Sequence, residues 1–195
     1  NDEEKIILRV YRSLKEDPSF ADLRLAVVPR KPERFDEVAQ WIEQMGLPLI
    51  RYSHVKGKPN RDIPDANAVI LGDTMGDLRK FYSLATVVFV GRSLVPMGGS
   101  DMMEAAALGK CTIFGPHAFN FRQTVEALLA ERGAIEVVDG DELMVVLTKC
   151  LTDPAYAEAV AARGRQVILN NQGATARTID HITQLLRSAN RRTSV

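Results

Sequence analysis

Cysteine is scarce in this sequence, and charge of neither sign is in excess. Two cysteines, Cys111 and Cys150, occur among 195 residues, and their spacing matches no metal-binding pattern. We expect both to be free thiols in a reducing compartment. Lysine plus arginine and aspartate plus glutamate each number 25, so the chain lacks the basic excess of a nucleic-acid-binding protein. A disulfide-stapled secreted domain and a nucleic-acid partner are therefore disfavoured.

Long hydrophobic runs are absent as well. No apolar stretch approaches the roughly 20 residues that a membrane-spanning helix needs, and no signal peptide opens the chain. No G-x-G-x-x-G motif follows the first predicted strand, which argues against a dehydrogenase. With 46% hydrophobic and 26% charged residues, we expect a soluble, cytoplasmic globular domain. Because the chain starts abruptly with a helix start and no initiator methionine, we expect a piece of a longer protein.

The sequence does contain a regular alternation of short apolar strands and amphipathic helices. Strands are predicted at 23–28, 47–52, 68–71, 87–90, 112–114 and 135–138. From residue 142 the pattern is helical only, over 142–151, 154–170 and about 174–189. The alternation predicts an α/β fold: a doubly wound, Rossmann-like parallel sheet of about six strands, with helices on both faces and a helical C-terminal extension. Residues 1–195 are predicted to form a single domain.

The most informative stretch runs from the fourth strand through a glycine pair into a helix that begins at Ser100 or Asp101. Gly98 and Gly99 would let backbone amides approach a phosphate group. Glu104, one turn into the helix, could accept hydrogen bonds from an attached ribose. The spacing of Asp101 and Glu104 also fits a capping box, in which both side chains serve the helix alone. The local pattern leaves both interpretations open.

The loop after the first strand carries a second candidate group, because ligands of such sheets bind beyond the carboxyl ends of the strands. Arg30 could clamp a phosphate or a sugar carboxylate in bidentate fashion. It could instead form a surface ion pair with Glu33 or Asp36. Lys31 could supply a point charge to the same anion or simply be exposed to solvent.

The turn after the fifth strand, Gly115-Pro116-His117, carries the third candidate group. The imidazole of His117 could donate to a phosphate or to an attached nucleoside, or could bond only a backbone carbonyl. Asn120 could contact a ligand or cap the helix that opens nearby. Local sequence does not choose between these roles.

Four stretches resemble a known family and occur in the family's order. They are VPRKPERF (28–35), LGDTMGDL (71–78), VGRSLVPMGG (90–99) and FGPHAFNF (114–121). On these motifs the chain resembles the C-terminal, donor-binding half of bacterial 3-deoxy-D-manno-octulosonic acid (Kdo) transferases. Those enzymes add Kdo from CMP-Kdo to lipid A precursor in lipopolysaccharide synthesis. The resemblance covers nearly the whole chain.

The resemblance implies a two-domain glycosyltransferase of the GT-B type that needs neither a metal nor another cofactor. It implies that this chain alone lacks turnover, because the general base belongs to an N-terminal acceptor domain that the chain does not contain. The full-length protein would act at the cytoplasmic face of the bacterial inner membrane. The residues implied for donor binding are Pro29, Arg30, Lys31, Gly98, Gly99, Ser100, Asp101, Glu104, Gly115, Pro116, His117 and Asn120.

The chain departs from the family pattern at several of these positions. Lys31 stands where the family usually has histidine, and Ser100-Asp101 stands where it has His-Asn. Ala105 replaces a proline, and Arg92 replaces the second member of a glycine pair. Loss of the asparagine removes an expected ligand contact, and Asp101 adds a negative charge close to the phosphate position.

Two other functions fit the same sequence. One is a GT-B transferase or epimerase that uses a UDP-sugar, whose site must hold two phosphates instead of one. The other is a non-catalytic nucleotide-binding module. Titration of CMP against UDP would separate the first from a Kdo transferase, and an upstream domain carrying a candidate base would argue against the second.

Overall fold

The computed structural model describes residues 2–58, 67–172, 179 and 182–184. In this part of the chain the helices are α1 (Glu3–Lys15), α2 (Phe35–Gln44), α3 (Tyr52–Val55), α4 (Leu78–Leu84), α5 (Met103–Ala107), α6 (Arg122–Ala130), α7 (Gly140–Thr152) and α8 (Pro154–Asn170). The strands are β1 (Ala26–Val27), β2 (Leu49–Arg51), β3 (Val69–Leu71), β4 (Val87–Val90), β5 (Cys111–Phe114) and β6 (Ile135–Glu136).

The strands form two parallel sheets, with the orders β1-β3-β2 and β4-β5-β6. The predicted α/β class with parallel strands is confirmed, but the prediction of one sheet of about six strands is wrong. β1 and β4 are edge strands of different sheets, and both line a crevice that also receives side chains from α1. The crevice separates β1 from β4. In the described part of the chain, no backbone hydrogen bonds join these two strands, so the two sheets stay separate.

Helices cover both faces of the second sheet, as the sequence predicts. Alternate side chains of β4 point to opposite faces of a strand. Val88 and Val90 pack in a buried cluster with residues of α5, α6 and α8. Val87 and Phe89 pack in a different cluster, with α1 and α7. The near-continuous apolar run of β4 therefore reflects burial on both sides.

Helix α1 packs against both sheets. Leu8 and Tyr11 belong to the core of the first sheet, where α2 and β3 contribute most of the other buried side chains. Val10 and Leu14 pack instead with β5 and α7. The Tyr11 hydroxyl also donates to the backbone carbonyl of Leu23, at 3.2 Å. The first helix thus holds the two sheets together beside the crevice.

Several predicted elements are shorter in the structure. The predicted strand 23–28 is reduced to Ala26–Val27, and the helix that was predicted to begin at Ser100 or Asp101 is only Met103–Ala107. Its predicted stop at Gly109 is confirmed, since this glycine adopts a φ of 66° and its N–H donates to Ala106. Of the helices predicted after residue 142, the one at 174–189 lies largely outside the described residues.

The two cysteines are buried next to each other, with Sγ atoms 3.7 Å apart, and the prediction that they are free thiols is confirmed. Contact with Cys150 and burial raise the pKa of the Cys111 thiol far above its ordinary value. None of the helices in the described residues combines the length and apolar character needed to span a bilayer.

Candidate functional site

The crevice between the two sheets has a volume of about 1660 Å³. Its walls are the edge strands β1 and β4 and the inner side of α1. At the carboxyl ends of the strands it is bordered by several predicted site residues, namely Pro29, Arg30, Lys31, Ser100, Asp101 and Glu104. The crevice therefore opens where parallel α/β sheets usually bind ligands.

Arg30 lines this crevice and has no partner among the described residues. Its side chain is exposed and makes neither a hydrogen bond nor an ion pair with any described residue. The alternative acceptors predicted for it are engaged elsewhere: Glu33 pairs with Lys31 at 3.7 Å, and Asp36 pairs with Arg51 at 2.6 Å. An exposed ion pair of this kind contributes little to stability. The Arg30 guanidinium is thus available to an anionic ligand.

The start of α5 tests the predicted capping box of Asp101 and Glu104. The Asp101 carboxylate accepts the backbone N–H of Met103, the first residue of α5, at 2.8 Å. The N-cap position belongs to Met102, and no side chain caps the helix. Glu104 does not complete a capping box, because its exposed side chain makes no hydrogen bond with the described residues. Burial raises the pKa of the nearby Tyr82 to about 12, and the charges of Glu104 and Asp101 add to the rise.

The Gly98-Gly99 turn is held in a conformation that favours glycine, with φ values of 89° and 83°. The Gly99 N–H donates to the Arg92 carbonyl at 2.8 Å, so this amide is already used within the protein. The N–H groups of Gly98 and Ser100 have no acceptor among the described residues. Of these two amides, that of Ser100 borders the crevice and is available to a ligand.

The turn after β5 packs directly against the loop after β4. Ser93 is fully buried and links the two: its hydroxyl donates to the Val90 carbonyl at 2.6 Å and accepts the Gly115 N–H at 2.8 Å. The Ser93 carbonyl accepts the N–H of His117, also at 2.8 Å. The backbone N–H of Asn120 likewise donates to the Gly98 carbonyl.

The predicted site residues consequently fall into two groups. One group lines the crevice, as described above. The other group, Gly98, Gly99, Gly115, Pro116, His117 and Asn120, does not line it and forms an adjoining layer. The His117 imidazole is half-buried and bonds no described residue, and Asn120 does not cap α6, whose N-terminal position is taken by Phe121 without a side-chain bond.

Glu3 belongs to the same region and was missed by the sequence analysis. Its side chain is only 4% exposed, and its carboxylate accepts three backbone N–H groups from the loop after β4. Those donors are Arg92, Ser93 (2.8 Å) and Leu94 (2.8 Å). Because the partners lie about 90 residues apart, no local pattern could reveal the contact. An acidic residue in a first helical turn is ordinarily explained by the helix dipole alone.

Two aspartates stabilise the loops at the end of β3. The Asp73 carboxylate accepts two hydrogen bonds from Ser53, one from its backbone N–H at 2.8 Å and one from its hydroxyl at 2.7 Å. These bonds cap the first turn of α3 from a distant part of the chain. Asp77 is buried and accepts from Lys56 at 2.6 Å and from Lys80 at 2.7 Å. Together they hold the loops on the first-sheet side of the crevice.

A pH dependence follows from Asp77. The hydrogen bond from Lys56, with those from Lys80 and Thr74, holds the pKa of the Asp77 carboxyl well below its ordinary value. Its stabilisation should therefore be complete above about pH 4, the ordinary range of an unfolded aspartate, and should be lost as the pH falls further. In denaturant titrations, Asp77→Asn should be less stable than the parent near neutral pH. The difference should shrink in acid. A difference that stays constant with pH would contradict this, and Asp22→Asn at an exposed position is the control for removing a surface carboxylate.

No family model matches the chain. Among solved structures, the C-terminal CMP-Kdo binding domain of WaaA from Acinetobacter baumannii superposes with a TM-score of 0.76 and 32% sequence identity, covering 85% of this chain and 83% of that domain. A 3-deoxy-D-manno-octulosonic acid transferase of Haemophilus influenzae is 35% identical over 182 residues. The chain belongs to the Kdo transferase family. The resemblance and the fold class predicted from the sequence are thereby confirmed.

Relatives within the Kdo transferase family are much longer than this chain. The match to the transferase of Bordetella pertussis, 34% identical, covers 83% of the chain but 37% of that protein, and the match to the Haemophilus influenzae protein covers 41% of it. Sucrose-phosphate synthase of Thermosynechococcus elongatus, at 20% identity and a TM-score of 0.56, shares the fold. The comparisons thus align this chain with one part of a Kdo transferase.

Proposed function

We propose that this chain is the donor-binding half of a glycosyltransferase that transfers Kdo from CMP-Kdo to a lipid A precursor. The similarity to a solved CMP-Kdo binding domain, at 32% identity over most of both chains, supports a CMP-activated sugar as the ligand. The chain spans about two fifths of its curated relatives, which supports a second domain in the complete protein. That domain would supply the acceptor site and the general base.

The observation that carries this proposal is the unpartnered guanidinium of Arg30 at the mouth of the crevice. A guanidinium presents a planar pair of donors that matches a phosphate or a carboxylate, and such charge-assisted bonds are stronger than neutral ones. The Asp101 carboxylate accepts the Met103 N–H, which offsets part of its charge beside the anion. Glu104 remains available to accept from the hydroxyls of a ribose.

The contribution of this half to the reaction is electrostatic. As the bond between the sugar and CMP breaks, the departing phosphate gains negative charge. Arg30 and the N–H group of Ser100, which both line the crevice, would stabilise that charge more strongly in the transition state than in the bound donor. The acceptor hydroxyl would be deprotonated by a carboxylate of the other domain, so inversion at the anomeric carbon would follow. The complete protein would meet its lipid acceptor at the cytoplasmic face of the inner membrane.

Isothermal titration of the chain with CMP tests the proposal. We expect CMP to bind weakly. It should still bind more tightly than UMP or UDP, because the proposed donor carries one phosphate and a cytosine. Arg30→Ala should lower the affinity for CMP by about tenfold or more, since a charge-assisted bond to phosphate contributes about 1.5–3 kcal/mol. Arg12→Ala, on an exposed face of α1, is the matched control and should bind CMP like the parent.

Two outcomes would count against this function. If Arg30→Ala and the parent bind CMP equally, the residue assignment is wrong. If UDP binds more tightly than CMP, the site is built for a different nucleotide sugar.

A further inference from the structure

Arg92 has an unusual backbone for a residue with a side chain. Its φ of 63° lies in the left-handed region, and Arg132, with a φ of 52°, shares this property. L-residues rarely adopt this region because the β-carbon approaches the neighbouring carbonyl, whereas glycine enters it freely. Such strain at one residue of a loop often accompanies a functional role, although it does not identify one.

The side chain of Arg92 is incompletely bonded. Its Nη2 donates to the Met97 carbonyl at 3.0 Å. Its Nε is buried without any hydrogen-bond partner, and the side chain makes no ion pair within the described part of the chain. Buried donors are almost always satisfied in native proteins, so an orphaned N–H of a charged group requires an explanation. An oxygen atom of a bound ligand would satisfy this charged donor.

The position of Arg92 joins it to the proposed nucleotide site. The residue lines the crevice from the end of β4, whereas Arg30 lines it from the end of β1. Its own carbonyl accepts the Gly99 N–H, and its side chain reaches the carbonyl that precedes Gly98. The guanidinium therefore lies against the turn whose Gly98 and Ser100 amides are unbonded.

We propose that Arg92 is a second phosphate-binding residue of the crevice and acts opposite Arg30. This inference rests on the proposed function, because it assigns a residue to the same nucleotide site. The Nε–Nη2 edge of a guanidinium is suited to two oxygens of one phosphate. On binding, Nη2 exchanges the Met97 carbonyl for a phosphate oxygen, and Nε gains the partner that it lacks. Two arginines, one from each sheet, then bind the donor across the crevice.

The test compares CMP with cytidine in titrations of the parent, Arg92→Gly and Arg132→Gly. Arg92→Gly removes the guanidinium and replaces it with the residue that suits this φ, so we expect a protein that melts no lower than the parent. We expect its affinity for CMP to fall by about tenfold or more, while the much weaker affinity for cytidine stays unchanged. Arg132→Gly makes the same chemical change at the same type of backbone position but outside the crevice, and should bind CMP normally.

A direct readout accompanies the titration. In the parent, the Nε–H resonance of Arg92, assigned by its loss in Arg92→Gly, should shift on addition of CMP and not of cytidine. If the parent binds CMP and Arg92→Gly binds it equally well, the Arg92 assignment is overturned while the proposed function stands. If the parent fails to bind CMP, the proposed function fails, and the Arg92 assignment falls with it.

Discussion

Replacement of Glu3 by alanine is expected to lower the free energy of unfolding by about 3 kcal/mol, because one buried and two partly buried backbone donors would lose their acceptor at once. The carboxylate accepts from Arg92, Ser93 and Leu94, and the side chain is 4% exposed, so water cannot easily take its place. The same loop carries Arg92 into the crevice. We therefore also expect Glu3→Ala to weaken CMP binding, as a consequence of a displaced loop.

Chemical denaturation of the variants checks this expectation. Glu16→Ala, at the exposed end of the same helix, should unfold like the parent. Glu3→Gln keeps one oxygen for Ser93 and Leu94 but turns an amide towards the Arg92 N–H, so its stability should be intermediate. Amide hydrogen exchange at residues 92–94 should accelerate in Glu3→Ala before the rest of the protein is affected. Stability equal to that of Glu16→Ala would show that this carboxylate does not hold the loop.

Local sequence was sufficient to predict the bounds of elements whose ends are set by a proline, a capping side chain or a glycine. Helix α8 and strand β4 have the predicted bounds. A proline at the first helical position and an aspartate cap explain where α8 begins, since the Asp153 carboxylate accepts from Tyr156. Gly46 and Gly109 end their helices with positive φ.

The arrangement of strands could not be predicted in the same way. Apolar runs identify strands and show whether one or two of their faces are buried, but they do not state which strands pair. The pairing of β1 with β3, and the crevice between β1 and β4, bring together residues that are distant in sequence. A single six-stranded sheet was the simplest arrangement for the pattern, and the structure replaces it with two sheets of three strands.

The candidate site was predicted where it depends on neighbours in sequence and missed where it depends on distant contacts. The structure places Arg30, after β1, and Glu104, in α5, on one crevice, and their role in donor binding stays a prediction. The motifs did not identify Glu3 or Ser93. The Glu3 carboxylate accepts backbone N–H groups of the loop after β4, and the Ser93 hydroxyl accepts the Gly115 N–H of the turn after β5. A buried serine within a loop looks like an ordinary polar residue in sequence. Its role in joining the two loops is evident only from the structure, where its hydroxyl accepts the Gly115 N–H.

The two groups of predicted site residues have different physical roles in this arrangement. The predicted site residues that line the crevice include four charged side chains, whereas half of the residues in the adjoining layer are glycines. Replacement in the first group should change ligand affinity and leave the fold intact. Replacement in the second group should change both, because close backbone packing positions the loop that the ligand contacts.

Among the residues of the adjoining layer, Gly115 should be the most sensitive to replacement. It is buried, and a β-carbon at this position would lie 2.5 Å from the Leu94 nitrogen and still closer to the Ser93 carbonyl group. These are backbone atoms, so no side chain can rotate to make room. We expect Gly115→Ala to lower the free energy of unfolding by about 3 kcal/mol, at the upper end of the range for overpacked sites. We also expect it to reduce CMP affinity by more than about tenfold, since sub-ångström displacements of a binding loop are costly.

Gly46→Ala separates this steric effect from the general cost of adding a side chain. Gly46 has open space around it and a φ of 71°, so the variant should lose only about 1 kcal/mol and bind CMP normally. Ser93→Ala approaches the same contact from the other side without overlap: it removes the acceptor of the Gly115 N–H and should cost about 1–2 kcal/mol. If Gly115→Ala is as stable as Gly46→Ala and binds CMP like the parent, the two loops do not pack as described. The glycine in this turn would then have no steric role in shaping the nucleotide site.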